Sequence, residues 1–232
     1  MPFMYYDPLY FILGLPALLL GLYAQFKVQT TFQKYLRTPN AYHVTGARAA
    51  QVLLSASGLS HIEVEGTPGQ LSDHYDPRRK VLRLSENVAR SPSVASVAVV
   101  AHEVGHAVQD ASNYGPMKLR TGIVPAVQIG SWLGPVLFFL GYLFASPQLA
   151  TIGVISFAGA AVFALVTLPV ELNASSRALG LLQSTGLIAP DELPGARQVL
   201  NAAALTYVAA LMQALSQLLY FVLLLSGMRR RD

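Results

Sequence analysis

The residues best suited to chemistry lie in the segment Ala101-His-Glu-Val-Gly-His106. His102 and His106 are four positions apart, so on an α-helix both imidazoles lie on one face and can reach one metal ion. Glu103 lies beside this pair, where it can accept a proton from a water molecule that zinc has made more acidic. Gly105 leaves room on the helix for another segment to approach closely. The pattern predicts a catalytic zinc site, although two ordinary histidines on an amphipathic helix would show the same spacing.

A catalytic zinc ion usually takes three protein ligands, so a third must come from elsewhere in the chain. The chain contains no cysteine, which excludes thiolate ligands, disulfides and a cysteine nucleophile. The other histidines, His43, His61 and His74, all precede the motif. Glu171 is the alternative, directly after a long apolar stretch, where a carboxylate facing lipid would be costly. A simple charge at the membrane interface would also explain that position.

The composition predicts a membrane protein. Hydrophobic residues make up 53% of the chain and charged residues 12%, which is about half the charged fraction usual in soluble proteins. A spanning helix needs about 20 largely apolar residues, and four blocks approach or meet this length: residues 9–24, 123–145, 149–170 and 204–227. The first block is short and contains Pro16. Residues 1–7 before it lack Lys and Arg and no small-residue cleavage site follows it, which favours a retained anchor over a cleaved signal peptide.

The order of these spans bears on the third ligand. The histidine motif lies in a polar segment of about residues 26–121, and Glu171 opens a second polar segment of about residues 171–203. Two crossings separate the segments, so both should face the same water phase. This arrangement favours Glu171 as the third ligand and predicts one membrane-embedded catalytic unit over residues 1–232.

The first polar segment predicts helices and a small β-sheet. Thr45 and Ser93 are candidate N-caps, and Gly58 stands where a helix-terminating glycine is expected. The corresponding helices cover residues 46–57 and 94–110. Alternating apolar and polar residues and a turn at 75–78 predict three strands, over residues 61–65, 70–74 and 80–84. The predicted fold is therefore mainly α, with about four transmembrane helices and a small sheet.

Four sequence motifs resemble those of a known protein family: Leu71-Ser-Asp-His-Tyr-Asp-Pro77, Val81-Leu-Arg-Leu-Ser85, Ala101-His-Glu-Val-Gly-His-Ala-Val-Gln109 and Val170-Glu-Leu-Asn-Ala-Ser-Ser-Arg-Ala178. They resemble the YugP-type neutral zinc metallopeptidase family of bacterial membrane proteins over nearly the whole chain. The resemblance implies one zinc ion bound by His102, His106 and Glu171, with Glu103 as the catalytic carboxylate. It also implies a zincin-like core of the glutamate-ligand type, in which a short strand borders the substrate cleft.

The chain departs from the wider glutamate-zincin pattern at one position. Many members have an acidic residue four positions after the ligand glutamate, where it orients a zinc-bound histidine. Here that position is Ser175, and Asn173 lies two positions after Glu171. Ligating histidines usually donate their other N–H to such a group. Asp110, one turn after His106, is a further candidate, although a solvated residue near a helix end is the more ordinary interpretation.

Four polar residues outside the motif remain open to two interpretations. His74 and Arg177 could stabilise the oxyanion of a tetrahedral intermediate, or could be structural, His74 in the hairpin and Arg177 beside an acidic neighbour. Gln213 and Gln217, one turn apart in the last span, are expected to form hydrogen bonds between helices, and the alternative is a role in guiding substrate.

The basic residues predict the orientation in the membrane, because Lys and Arg favour the cytoplasmic side. Eleven of the 16 lie in residues 27–120, and Arg177 and Arg197 bring the number in the polar segments to 13. Four spans place the remaining three, at positions 229–231, on the opposite side, in conflict with the rule. We expect an outside N-terminus and a site facing the cytoplasm, in a multi-pass protein of the plasma or inner membrane. Membrane topology explains the net charge of +4 without a nucleic-acid partner.

These observations predict a zinc metallopeptidase, an endopeptidase that hydrolyses peptide or protein substrates, membrane proteins among them. The alternative is a catalytically inactive zinc-binding membrane scaffold or adaptor. A metal transporter would need polar ligands within the spans, whose interiors hold only glutamines and hydroxyls.

Overall fold

The computed structural model describes residues 8–229. Over this range the chain is mainly helical with one small sheet, as predicted. The elements in chain order are α1 (Pro8–Leu36), α2 (Gly46–Ala56), β1 (Glu63–Thr67), β2 (His74–Asp76), β3 (Val81–Ser85), α3 (Glu86–Arg90), α4 (Val94–Ala111), α5 (Gly115–Leu143), α6 (Pro147–Thr185) and α7 (Leu193–Arg229). The predictions about the leader residues 1–7 and about the basic side chains at 229–231 lie outside the described residues.

Contacts divide the chain into two compact units. The first unit comprises the described parts of residues 1–24, 119–168 and 206–232, and the second comprises residues 25–118 and 169–205. The interpretation of the chain as a single catalytic unit stays a prediction.

The first unit is built from long apolar helices. In the described range, four helices are long and apolar enough to cross a membrane, namely α1, α5, α6 and α7. Between α5 and α6 the backbones touch, since a Cβ on Gly141 would lie 2.3 Å from the nitrogen of Ala150. Phe138 and Phe221 stack in the core of this unit, with ring centroids 4.2 Å apart. The chain is therefore a multi-pass membrane protein.

The predicted spans lie almost entirely within these helices, but the helices are longer than the apolar blocks. Helix α1 continues to Leu36, and α6 continues past Glu171 to Thr185. Glu171 therefore lies within a continuous helix, and the interpretation of residues 171–203 as a polar catalytic segment stays a prediction. Helix α5 ends at Leu143, so the last residues of the block 123–145 lie beyond it.

Gln213 and Gln217 line a cavity of about 410 Å³ between parts of α1, α6 and α7 in the first unit. The side chain of Gln213 lies against Gly21 of α1, where an added Cβ would lie 2.5 Å from its Nε2 atom. The hydrogen bonds predicted between helices for these glutamines stay a prediction.

The second unit combines a three-stranded sheet with α2, α3 and α4. The strand order is β1-β3-β2, with β1 parallel and β2 antiparallel to β3. The predicted caps are confirmed: Thr45 accepts a hydrogen bond from the backbone of Arg48, and Ser93 accepts one from the backbone of Ser96. Gly58 follows α2 with φ +70°, the left-handed conformation that favours glycine.

The strand boundaries differ from the predicted ones by a few residues. The predicted turn at 75–78 was placed too early, because Tyr75 and Asp76 belong to β2. Asp76 Oδ1 accepts hydrogen bonds from the backbone N–H groups of Arg78 and Arg79 at 2.9 and 3.1 Å. Because the Asp76 side chain binds the backbone of the next few residues, the turn begins after Asp76 and not at Tyr75. The predicted strands 61–65 and 70–74 likewise appear further along the chain, as β1 and β2.

Candidate metal centre

The two motif histidines and Glu171 come together in the second unit. Helix α4 carries His102 and His106 one turn apart, and α6 carries Glu171. Oε2 of Glu171 lies 3.2 Å from Nε2 of His102 and 3.4 Å from Nε2 of His106. Candidate ligand atoms of all three side chains lie within 4.8 Å of one another. Glu171 is 1% and His106 8% exposed, so the group is largely shielded from water.

Close backbone packing brings the two helices to this distance. A Cβ on Gly105 would lie 2.6 Å from the carbonyl oxygen of Ala174 in α6, closer than such atoms approach. The prediction that Gly105 leaves room for another segment is therefore confirmed, and that segment is the turn of α6 after Glu171. Because Gly105 has no side chain, the backbones of α4 and α6 approach closely at this contact. Candidate ligand atoms on the two helices therefore come within a few ångströms of one another.

Each histidine has a partner on its other ring nitrogen. Nδ1 of His106 lies 2.9 Å from Oε1 of Gln109, and Nδ1 of His102 lies 3.2 Å from Oγ of Ser175. Ser175, in the position where an acidic residue is more usual, thus contacts a histidine through its hydroxyl. Partners of this kind fix the orientation of a ligating imidazole.

Asp110 does not contact His106 in this way. Its carboxylate accepts a hydrogen bond from the hydroxyl of Tyr75 at 2.7 Å and forms an ion pair with Lys80. The residue is nevertheless more than a solvated group near a helix end, because it joins α4 to β2 and to the turn that follows β2. Burial and the hydrogen bond to Asp110 both raise the pKa of the Tyr75 hydroxyl, which stays protonated.

Glu103 lies in the same buried region and is held by the sheet. Its Oε2 accepts a hydrogen bond from the backbone N–H of Tyr75 at 2.9 Å, and its exposed fraction is 8%. Burial raises the pKa of Glu103, while the nearby imidazoles of His102 and His106 act in the opposite direction. A raised pKa makes the carboxylate a better proton acceptor, which suits a general base.

The electrostatics of His106 describe a site suited to a cation. Burial alone would lower the pKa of His106, but the hydrogen bond to Glu171 and the charge of Glu103 outweigh it, so this pKa is raised. The surrounding carboxylates therefore stabilise positive charge at the ring. Metal ions bind in competition with protons at such a site.

The donor set fits zinc. Two imidazole nitrogens and one carboxylate oxygen are a ligand set of known catalytic zinc sites, which keep a fourth position for water or substrate. Here the two Nε2 atoms face the same carboxylate oxygen, and the Nδ1 atoms are engaged by other side chains. Zinc would be held by His102, His106 and Glu171.

The other predicted candidates lie outside this group of three side chains. His43, His61 and His74 are not members of the metal-binding group found within residues 8–229. Nδ1 of exposed His74 lies 2.8 Å from the carbonyl oxygen of Ser72. Arg177 donates from Nε to Oδ1 of Asn173 at 2.8 Å. The suggested oxyanion role of His74 and Arg177 stays a prediction.

Sequence reasoning missed Gln109 and the backbone of Tyr75. Gln109 lies three positions after His106, so the helical spacing that suggested Asp110 also places Gln109 near the histidine face. The Tyr75 contact depends on how β2 lies against α4, for which the sequence carries no local signal.

Four apolar helices and a buried His–His–Glu group define a multi-pass membrane protein with side chains arranged for a metal ion. The chain belongs to the family described as "Putative neutral zinc metallopeptidase", whose model matches residues 10–226. It is 45% identical over 216 residues to the "Putative membrane protease YugP" of Bacillus subtilis (strain 168), which covers 93% of this chain and 96% of that protein. No solved structure matches the chain significantly. The family resemblance seen in the sequence is confirmed.

Proposed function

We propose that the chain is a zinc-dependent membrane endopeptidase that hydrolyses peptide bonds. The observation that carries this proposal is the approach of two histidine Nε2 atoms to one Glu171 oxygen, at 3.2 and 3.4 Å, beside the buried carboxylate of Glu103. A single zinc ion at this position would polarise a peptide carbonyl and make a water molecule more acidic. The family description and the name of the Bacillus relative support the same reaction class.

Glu103 is the catalytic carboxylate in this proposal. It accepts a proton from the attacking water and delivers it to the nitrogen of the departing amine, so Glu103 returns to its ionised form at the end of each cycle. The hydrogen bond from the backbone of Tyr75 fixes one of its oxygens. The other oxygen is then free to exchange the proton with water and with the leaving group.

The substrates proposed are peptides or proteins, membrane proteins among them. A substrate segment would lie extended beside the residues that lead into β2, about 70–74, because these are next to the strand that holds Glu103. The surroundings are the lipid bilayer of the plasma or inner membrane, and no nucleic acid takes part. The site faces the cytoplasm, a proposal supported by the 13 of 16 basic residues in the polar segments.

The test compares zinc content and cleavage of casein or a membrane-protein substrate for the purified wild type and Glu103→Gln. Glu103→Gln should keep zinc and lose cleavage, whereas His102→Ala should lose both. Glu86→Gln is the matched control, because Glu86 is exposed and pairs with Arg90 one turn away. Full cleavage by Glu103→Gln would remove the assigned mechanism. Bound zinc with no cleavage by any variant would favour the inactive scaffold instead.

A further inference from the structure

Gln109 makes three hydrogen bonds in the interior of the second unit. It lies in α4 and is 0% exposed. Its Oε1 lies 2.9 Å from Nδ1 of His106, and its Nε2 donates to the carbonyl oxygen of Val170 at 2.8 Å and to Oδ1 of Asn173 at 3.0 Å. The residue thus contacts one histidine and both sides of Glu171 along α6.

The directions of these hydrogen bonds follow from groups that can act in one way only. The carbonyl oxygen of Val170 can only accept, so the Gln109 atom facing it must be the amide nitrogen. The guanidinium of Arg177 can only donate, so the Asn173 atom it contacts at 2.8 Å must be the oxygen, which also accepts from Gln109. Both ends of the network therefore give Gln109 the same orientation.

This orientation determines which nitrogen of His106 carries a hydrogen. The amide oxygen of Gln109 faces Nδ1, and an oxygen of this kind can only accept, so Nδ1 must carry the hydrogen. In the neutral ring, Nε2 then keeps its lone pair on the side of Glu171. His102 lacks such a determinant, because the Ser175 hydroxyl at its Nδ1 can either donate or accept.

We propose that Gln109 is the positioning residue of the metal site. It holds the His106 ring with Nε2 presented for coordination and ties that ring to α6 through Val170, one position before Glu171, and Asn173, two positions after it. The Gln109 amide therefore fixes the orientation of the His106 ring and the distance between that ring and Glu171. The inference rests on the proposed function in taking zinc as the metal, and it concerns binding of the ion rather than the chemical step.

The test measures zinc affinity by competition with a chelator, using the full chain in detergent. Gln109→Met keeps the length of the side chain but removes all three hydrogen bonds, and should weaken zinc binding about 10–100-fold, the usual effect of losing such a partner. Asn173→Asp keeps an oxygen for both Gln109 and Arg177 and should bind zinc at least as tightly as the wild type. Ser96→Ala removes a buried contact of α4 with Ser93, away from the site, and controls for a general loss of stability.

A second readout examines the ring itself. In the zinc-loaded wild type, ¹⁵N NMR of labelled histidine should show His106 with a hydrogen on Nδ1 and the metal on Nε2. A spectrum with the metal on Nδ1 would overturn the proposal, whether or not Gln109→Met folds.

The outcomes separate this inference from the proposed function. Failure of the wild type to bind zinc would reject both. Zinc binding by the wild type with an unchanged affinity in folded Gln109→Met would reject the role of Gln109 and leave the peptidase proposal standing. Weaker binding in Ser96→Ala of the same size would show that the effect is only one of stability.

Discussion

Replacing Gly105 by alanine should damage the metal site through the backbone of a neighbouring helix. The new Cβ would lie 2.6 Å from the carbonyl oxygen of Ala174 and 3.3 Å from its carbonyl carbon and Cα. Ordinary van der Waals contact begins at 3.4 Å, so the oxygen contact alone requires a movement of about 0.8 Å. All three atoms belong to the backbone and cannot rotate away, so α4 and α6 must separate.

Two opposing terms decide the effect on stability. Alanine is favoured over glycine within a helix by about 1 kcal/mol. Forcing an extra carbon into a packed contact costs about 1–3 kcal/mol. At Gly105 the packing cost should lie in the upper part of its range, about 2–3 kcal/mol, because the obstacle is backbone. We therefore expect a net loss of about 1–2 kcal/mol from the free energy of unfolding.

The effect on zinc binding should be larger than the effect on stability suggests. Glu171 lies on α6 and both histidines on α4, so a separation of the helices lengthens the distances of 3.2 and 3.4 Å that now join them. Metal–ligand distances tolerate only about 0.2 Å of error. Zinc affinity should therefore fall by at least the roughly 10–100-fold seen when an orienting partner is lost.

Gly180→Ala provides the matched control for this experiment. Gly180 also lies within α6, but a Cβ there would meet nothing within 4 Å. The same substitution should therefore raise the melting temperature slightly and leave zinc affinity unchanged. Thermal unfolding and chelator competition on both variants would separate the two cases. Wild-type zinc affinity and stability in Gly105→Ala would show that the helix contact does not set the geometry of the site.

Three further predictions concern the sheet and the membrane orientation. Tyr75→Phe removes the hydrogen bond to Asp110 and should destabilise the fold by about 1 kcal/mol. Steady-state kinetics should show a lower kcat with KM and zinc content little changed, because the Tyr75 N–H that holds Glu103 becomes less well fixed; an unchanged kcat would count against this. The backbone hydrogen bond from Arg79 is the main cause of a lowered pKa at Asp76, so its contribution to stability is present above the unfolded value of about 3.9 and is lost as the pH falls through the lower folded value. Asp76→Asn should therefore reduce stability at neutral pH and flatten the decline in acid, as measured by unfolding at several pH values; parallel curves for both proteins would refute it. Finally, Ser60→Cys and Gln148→Cys introduce single thiols into a cysteine-free chain, and an impermeant maleimide applied to intact cells should label only the second. Labelling of Ser60→Cys alone would reverse the proposed orientation.

The candidate metal-binding group could largely be predicted from the sequence, because it depends on helical spacing and on the order of the spans. The separation of His102 and His106 places them on one face of any helix that contains them. Glu171 followed from a second argument, the return of the chain after two crossings. Neither argument depends on exact element boundaries, which explains why His102, His106 and Glu171 could be grouped although the predicted strand boundaries differ from those of the structure.

Helix α6 continues beyond the third apolar block for a physical reason. A change from apolar to polar residues at Glu171 reports a change of environment, whereas helix formation depends on backbone propensity. The residues from Leu172 to Thr185 include many good helix formers, with Gly180 as an exception, so α6 continues through the change in polarity. The shift of β2 has a comparable cause, since the Asp76 side chain decides where the turn starts and the alternation of residue types does not.

The contacts between α4 and α6 show why the rest of the site could not be predicted. Gly105 meets Ala174, Gln109 meets Val170 and Asn173, and His102 meets Ser175. Every one of these pairs joins residues more than 60 positions apart, so no local pattern reports them. They nevertheless act together, because the helix pair that brings the ligands to one point also supplies the groups that orient them. It follows that zinc affinity should depend on how closely these two helices pack, and that substitutions that push the helices apart should weaken metal binding even where they touch no ligand.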